Sequence, residues 1–293
     1  RAGLVLKCRE ICVHSETGNP TLEEVRHFTE DIDNMEDDQL QNYVQNAINT
    51  QIVSMFESIH KCDEMHTNAG INERAESIAT RQQVQLHEDL RFSIVAGESS
   101  IKGSGKGVFV SSPEGIPPGT VACLYPGLVH LKDDLRERSY FEKLLPDSEL
   151  MLMTRLDEIL IDGRTADSVP SNPYALAHLV NHCGSERKPN VIQISYDFPA
   201  AWLMGAGFPQ HLRRFIPNGF AKPPGLLGKL IMGPYILMPS VVLLTTRHLQ
   251  HGDELFMNYR LNPDSPVLPV WYEPHDPEEG RNRWTTGPRN SSE

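Results

Sequence analysis

The sequence contains no long apolar run. A helix that crosses a membrane needs about 18 or more consecutive apolar residues, whereas the best candidate, residues 235–244, is short and is interrupted by Pro239. No membrane association is therefore expected. Hydrophobic residues make up 39% and charged residues 23% of the 293 residues, and these are the proportions of a globular protein.

Cysteine is also scarce. The five cysteines are odd in number and scattered, whereas small secreted domains carry a dense, even set that forms disulfides. This predicts a reducing, intracellular compartment and does not distinguish nucleus from cytoplasm. Cys8, Cys12 and His14 lie close together, but no second cysteine or histidine pair follows at the spacing of a structural zinc site. No metal site is expected.

Basic residues are outnumbered: 27 lysines and arginines stand against 39 aspartates and glutamates, and the formal net charge is −12. Residues 1–90 hold 17 of the acidic and 7 of the basic residues. Because binding to a phosphate backbone needs a basic face, direct nucleic-acid binding is not expected. The acidic region is either an ordinary solvated helical surface or one that attracts a basic protein partner.

Several enzyme signatures are missing. There is no Gly-x-Ser-x-Gly elbow and no His-Glu-x-x-His pair. The glycine-rich segment 102–109 (KGSGKGVF) is not a P-loop, because Gly107 stands where the Ser or Thr is required. It is not a dinucleotide fingerprint either, because the third glycine would fall at Val108. By itself the segment predicts a hairpin turn.

Three regions differ in their patterns. Residues 1–90 are predicted to be helical, beginning with a capping box formed by Thr21 and Glu24. A second helix is predicted from apolar residues at intervals of three or four, namely Leu40, Val44, Ile48, Ile52, Phe56 and Ile59. Residues 91–262 are predicted to be mostly β, with a Pro- and Gly-rich insertion at 198–234. Residues 263–293 are predicted to form a Pro-rich tail without periodicity.

The strands of the second region are predicted from short runs of β-branched and aliphatic residues flanked by turn residues. They are residues 93–96, 107–111, 120–125, 156–162, 191–195 and 236–245.

Six short motifs occur in order between residues 95 and 261. They are residues 105–109 (GKGVF), 125–127 (YPG), 161–163 (IDG), 179–183 (LVNHC), 189–191 (PNV) and 252–259 (GDELFMNY). Together they resemble the SET-domain family of S-adenosylmethionine-dependent protein lysine methyltransferases, and one branch of it most closely. The resemblance implies a mostly β fold with helices, built from short curved sheets with a knot-like crossing near its C-terminal end.

The resemblance also implies an activity and a set of site residues. The chain would transfer a methyl group from S-adenosylmethionine to a lysine of a protein or peptide substrate. Tyr259 matches the catalytic tyrosine and also contacts the cofactor, while Tyr125 is read equally as a second catalytic residue or as a strand residue at the core edge. The other implied cofactor-binding residues are Gly105, Lys106, Gly107, Asn181 and His182.

The chain departs from the family pattern at several positions. Residues 184–188 delay Pro189 and Asn190 by three positions, so the loop after His182 is expected to bulge. Asn258 stands where many members have Asp, and keeps a hydrogen-bonding group. Val95 stands where several active members have a channel tyrosine, so this aromatic wall is either missing or supplied by Phe92 or Tyr196.

The C-terminal region lacks the Cys-x-Cys cluster that forms a zinc-stapled lid in some members. Trp271, Tyr272 and Trp284 are expected either to close the channel or to lie in an irregular tail. These departures leave two other functions open. One is a catalytically silent protein that binds peptides, and the other is a docking platform formed by the acidic N-terminal helices. The sequence predicts no oligomeric state.

Overall fold

The computed structural model describes residues 34–68, 85–135, 151–200, 207–225, 235–266, 268 and 271–285. The helix predicted to begin at Thr21 and the group of Cys8, Cys12 and His14 lie outside the described residues.

The first described element is the helix α1, Asp37–Asn68. Its start is stabilised by a bond from the Glu36 amide to Gln39 Oε1 (3.3 Å), as in a capping box, and by Asp37 and Asp38 near the positive end of the helix dipole. The predicted apolar stripe is confirmed. Its buried members are Val44, Ile48, Ile52, Phe56 and Ile59.

Eleven strands follow among the described residues, and most are short. They are β1 (Ile94–Glu98), β2 (Lys106–Val110), β3 (Val121–Leu124), β4 (Gly127–His130), β5 (Leu152–Thr154), β6 (Leu160–Asp162), β7 (Asn181–His182), β8 (Val191–Pro199), β9 (Asn218–Phe220), β10 (Ile236–Thr245) and β11 (Phe256–Met257). A short helix α2, Lys132–Leu135, follows β4, and α3, Pro277–Thr285, lies near the C-terminus.

The strands form four small sheets, with orders β1-β2, β3-β10-β8, β11-β7 and β5-β6-β4-β9. The mostly β fold of short sheets behind an N-terminal helix is therefore confirmed. Helix α1 is hydrogen-bonded to strand β8 of the β3-β10-β8 sheet. Gln45 Nε2 donates to Ser195 O (2.8 Å), and Tyr196 Oη donates to Asn49 Oδ1 (2.6 Å). Helix α1 and the strands share one hydrophobic core. The boundary predicted near residue 91 therefore marks a change in sequence pattern and does not separate two hydrophobic cores.

Two predicted segments need correction. The strand predicted at 156–162 begins only at Leu160, because the chain turns over residues 155–159 and Glu158 has a φ of 63°. The Arg155 amide donates to Ile159 O across this turn (2.9 Å), and Leu156 is fully exposed. The preceding strand, β5, was not predicted.

The segment 198–234 is only partly an insertion. Phe198 lies within β8 and pairs with Met238 of β10, and β9 pairs in parallel with β4. Between these strands Phe208 and Phe215 are buried, with ring centroids 5.6 Å and 6.2 Å from that of Phe56 on α1. This region therefore contributes side chains to the hydrophobic core.

The C-terminal region is more ordered than a tail without periodicity. Helix α3 begins after Asp276, whose Oδ1 accepts from the Glu279 amide (2.8 Å), and Pro277 occupies the first helical position. The Asp-Pro-Glu-Glu run was a helix-start signal that the expectation overlooked.

The predicted crossing is present. Residues 254–257 lie between β7 on one side, with Phe256 paired in parallel to Asn181, and Asn190 on the other. Asn190 holds them there because its Nδ2 donates to Glu254 O (2.8 Å) and its Oδ1 accepts from the Phe256 amide (2.8 Å). The segment leading to Tyr259 thus lies between Asn181 and Asn190, the two ends of one loop.

Candidate active site

A cavity of about 470 Å³ opens where the crossing meets the glycine-rich hairpin. Four segments that are distant in sequence line it. Among the described residues its wall contains Ile101, Lys102, Gly103, Ser104, Lys106, Met151, His178, Leu179, Asn181, His182, Cys183, Gly184, Ser185, Glu186, Arg187, Tyr259, Trp271 and Glu273. Four of the expected site residues, Lys106, Asn181, His182 and Tyr259, are therefore brought together.

The parallel pairing of β7 with β11 places His182 beside Tyr259. The Tyr259 amide donates to His182 Nδ1 (3.2 Å), and the two ring centroids lie 5.4 Å apart. Because Nδ1 accepts this bond, the proton of the neutral ring is on Nε2, which donates to Glu273 O (2.8 Å). Burial lowers the pKa of His182, so the neutral ring that this network requires is also the favoured form.

The Tyr259 phenol is held at the cavity by the backbone. Its Oη donates to Val180 O (3.1 Å), and burial raises the pKa of the phenol to about 12. At neutral pH the group is therefore a phenol and not a phenolate. Since its one proton is used on Val180, Oη offers only lone pairs to a ligand in the cavity.

The glycine-rich turn contributes differently from what was expected. Gly103 and Gly105 adopt φ angles of 84° and 75°, which favour glycine, and Asn181 Nδ2 donates to Lys106 O (2.9 Å). Gly105 and Gly107 are absent from the cavity wall. A Cβ on Gly107 would overlap the Glu254 carboxylate, so the absence of a side chain at Gly107 leaves room for Glu254. Cofactor binding by Gly105 and Gly107 stays a prediction.

Tyr125 is buried and does not line the cavity. Its Oη lies 2.9 Å from the point where a Cβ on Gly163 would sit. Burial raises the pKa of this phenol, and the nearby Tyr259 and Asp162 raise it further. The arrangement is that of a core residue close to Tyr259, and a catalytic role for Tyr125 stays a prediction.

The loop after His182 does bulge, and the C-terminal segment packs on it. Gly184 has a φ of 65°, and Ser185 Oγ donates to Glu273 Oε2 (2.8 Å). Tyr272 is buried and stacks on the His182 ring, with centroids 4.6 Å apart and planes 20° apart. Trp271 lines the cavity and meets Tyr259 edge-on at 6.1 Å. Residues 271–273 therefore close one side of the site.

The aromatic wall expected from Phe92 or Tyr196 is not formed by either residue. Both are buried in the core, where Phe92 packs on Tyr174 (5.4 Å between centroids), and neither lines the cavity. Val95, at the position of the missing tyrosine, is on β1 with 43% of its surface exposed. Within the part of the chain that the structure describes, the aromatic rings of the cavity wall are those of Tyr259, Trp271, His178 and His182.

Asn258 keeps the function expected of an Asp at its position. Its Oδ1 accepts from the Arg260 amide (2.9 Å) across a turn in which Arg260 has a φ of 57°. A carboxylate would accept the same bond. Asn258 therefore supplies the hydrogen-bond acceptor expected at this position.

Sequence reasoning missed Met151, His178 and Leu179, which also line the cavity. His178 has a buried Nδ1 without a hydrogen-bond partner among the described residues, and burial lowers its pKa. It lies three residues before Asn181, and proximity to that motif was the signal that pointed to it.

In the described ranges no helix has both the length and the apolar character of a membrane span. Over the same part of the chain, His, Cys, Asp and Glu form no cluster of three or more that could hold a metal ion.

Comparisons with known proteins agree with the motif assignment. No protein family model matches the chain. Over 204 residues, which are 59% of this chain, it is 29% identical to SET domain-containing protein 9 of Homo sapiens and of Pongo abelii, and it spans 60% and 66% of their lengths. The branch indicated by the motifs is thus the one that the comparison finds.

Similar solved structures include two of the polycomb repressive complex 2 of Chaetomium thermophilum. One is bound to S-adenosylmethionine and shows 17% identity, a TM-score of 0.34 and coverage of 60% of this chain and 16% of that chain. The other is 18% identical with a TM-score of 0.35, and the coverage is 62% and 17%.

Proposed function

We propose that this chain, which is similar to SET domain-containing protein 9, transfers a methyl group from S-adenosylmethionine to a lysine side chain of a protein. The observation that carries the proposal is the crossing, which brings Asn181, His182 and the Tyr259 phenol to one cavity. The similarity to the two relatives supports it.

The residues of the cavity fit S-adenosylmethionine. A volume of about 470 Å³ is within the usual range for small-molecule sites. Asn181 Nδ2 is bonded to Lys106 O, which leaves Oδ1 to accept from the amino group of the methionine part. The ammonium groups of Lys102 and Lys106 suit its carboxylate, and the flat rings of His182 and Trp271 suit the adenine. Bound there, the cofactor would supply an electrophilic methyl group on a sulfonium.

The lysine must be neutral to attack that methyl group. A lysine with a pKa of about 10.4 loses its proton at pH 7 at a cost of about 4.6 kcal/mol. An apolar channel lowers this cost because it disfavours the ammonium form. The neutral phenol of Tyr259 and the side chains of Met151 and Leu179 give the cavity wall such a character.

Tyr259 would orient the amine. Because its proton is donated to Val180 O, the lone pairs of Oη accept a hydrogen bond from the amine nitrogen and hold it in line with the methyl carbon. Such alignment supplies a large part of the rate in displacement reactions. The high pKa of the phenol makes it an orienting group and not a general base.

The substrate we propose is a basic protein segment carrying the lysine, because the chain has a net charge of −12. Helix α1, with Asp37 and Asp38 at its start, lines no part of the cavity. We therefore propose that α1 attracts the basic segment electrostatically and does not contact the reacting lysine. An intracellular location is proposed on the low, odd number of scattered cysteines.

The proposal is tested by incubating the protein with radiolabelled S-adenosylmethionine and a panel of lysine-containing basic proteins and peptides. Label incorporated into a lysine, and lost when that lysine is changed to arginine, supports it. Binding of S-adenosylmethionine without any labelled product across the panel favours the second function.

That second function is a catalytically silent peptide-binding protein. The observation in its favour is Val95, which lies exposed on β1 where several active members place a channel tyrosine. Under this alternative a peptide binds with the same affinity whether or not its lysine is present. Calorimetry with matched lysine and alanine peptides separates the two.

A further inference from the structure

Glu254 is buried beside the cavity without lining it. Its carboxylate is enclosed by hydroxyl and amide donors from the start of the glycine-rich loop. Ser99 Oγ donates to Oε1 (2.6 Å), and Ser100 donates to Oε2 through both Oγ (2.6 Å) and its amide (2.8 Å). A longer bond from Asn181 Nδ2 also reaches Oε1 (3.5 Å). Within the described part of the chain no lysine or arginine forms an ion pair with it.

Burying a carboxylate without a cation is unfavourable, and hydrogen bonds to the charged oxygens offset that cost. An apolar side chain of similar size often gives equal or greater stability at such a position. Stability alone therefore does not account for a carboxylate here. The carboxylate instead fixes the geometry of the site, because three charge-assisted hydrogen bonds hold Ser99 and Ser100 against Glu254 in the crossing.

The bonds continue from Glu254 into the loop that forms the cavity wall. Ser99 Oγ, while donating to Glu254, accepts from the Ile101 amide (3.1 Å), and the Ser99 amide donates to Gly105 O (2.9 Å). Ile101 and the residues up to Ser104 line the cavity. On the crossing side Asn190 holds the Glu254 backbone. Glu254 therefore joins the two halves of the site.

We infer that Glu254, Ser99 and Ser100 form a latch that sets the position of the 99–106 loop and so controls the affinity of the cavity for S-adenosylmethionine. Glu254 is a positioning residue, since it acts through the loop and touches no ligand. The inference rests on the proposed function for the identity of the ligand. It also explains Gly107, where a side chain would displace the carboxylate.

The first variant is the double substitution Ser99→Ala with Ser100→Ala, which removes the two hydroxyl donors and leaves the Ser100 amide, the Asn181 amide group and the Glu254 backbone in place. We expect the Kd for S-adenosylmethionine in calorimetry to rise about tenfold or more, the change typical of losing a charge-assisted hydrogen bond. The cofactor KM should rise in parallel, with kcat at saturating cofactor little changed.

The matched control is Ser93→Ala with Ser111→Ala. These serines lie at the other end of the same hairpin, with Ser111 Oγ donating to Ser93 Oγ (2.9 Å). A merely structural role of the hairpin hydroxyl groups predicts equal effects of the two double variants on affinity. The latch predicts an effect of the first pair only.

A second variant, Glu254→Gln, keeps the size of the side chain but presents an amide NH₂ to donors. We expect a larger loss of affinity than in the serine variant. Hydrogen exchange of the amides of residues 101–106 gives a readout that needs no ligand, and it should be about tenfold faster in both variants than in the control.

The inference is overturned if the serine variant matches its control in both affinity and exchange, and this comparison decides alone should Glu254→Gln fail to fold. A wild-type protein that does not bind S-adenosylmethionine refutes the proposed function and not the latch. In that case the exchange comparison decides: faster exchange in the serine variant supports the latch, and unchanged exchange overturns it.

Discussion

The core around α1 and the wall of the cavity are held by different interactions. Phe56 of α1 is fully buried among the rings of Phe198, Phe208 and Phe215, so this region is stabilised by removal of apolar surface from water. The cavity wall is instead joined by polar bonds between distant segments, such as Asn181 to Lys106 O and His182 to Glu273 O. Stability and ligand binding should therefore respond to different substitutions.

The largest effect on stability is expected for Phe56→Ala. Removing a fully buried ring leaves a void and costs about 3–5 kcal/mol of unfolding free energy. Chemical denaturation measures this loss. Leu156→Ala, at a fully exposed side chain, is the control and should change stability by less than about 0.5 kcal/mol. Equal losses in the two variants would contradict the described core.

The largest effect on activity is expected for Tyr259→Phe. The ring stays, but the hydroxyl that bonds Val180 O is lost, and kcat should fall by about a hundredfold because the amine is no longer aligned. The Kd for S-adenosylmethionine should change little. Steady-state kinetics together with calorimetry measure both quantities, and an unchanged kcat would refute the orienting role.

A smaller effect is expected for Asn181→Ala. The variant frees Lys106 O and removes the Oδ1 acceptor, so the Kd for S-adenosylmethionine should rise about tenfold or more. The unfolding free energy should fall by no more than about 1–2 kcal/mol. If stability collapses while affinity in the remaining folded protein is normal, Asn181 belongs to the core and not to the site.

The smallest effect concerns pH. Burial lowers the pKa of His182 in the folded protein, whereas the pKa of a histidine in an unfolded chain is about 6.5. The stabilisation from its neutral ring is therefore complete above about pH 6.5 and is lost as the pH falls below it through the lower folded pKa, by up to about 1.4 kcal/mol for each pH unit in that window.

Denaturation between pH 5 and 7.5 in the wild type and in His182→Gln isolates this contribution. His130 and His178 also have lowered pKa values, so both proteins should lose stability in acid and the variant should lose less. Identical pH dependence would show that the His182 network does not require the neutral ring.

Local sequence patterns correctly predicted the helix and strand that are determined by residues close together in the sequence. The stripe from Val44 to Ile59 follows from helical spacing, and β10 was predicted over its full length, residues 236–245. Asn181 and Tyr259 were identified because each lies in a short motif. Their proximity depends on the parallel pairing of β7 with β11, which only the resemblance implied.

The features that sequence reasoning missed are mostly contacts between residues far apart in the chain. Ser99 and Ser100 contact a carboxylate more than 150 residues away, and no spacing rule connects them. The packing of Glu254 against Gly107 was not predicted for the same reason, since the two residues are far apart in the sequence. Helix α3 was missed for a different reason, because its Asp276–Pro277 start was read as part of an irregular tail.

A crystal structure of the protein with S-adenosylmethionine tests the central claim most directly. The account predicts the nucleoside between Trp271 and the 99–106 loop, and the methyl carbon facing Tyr259 Oη. A cofactor bound elsewhere on the protein, with the Tyr259 phenol turned away from its sulfur, would contradict it.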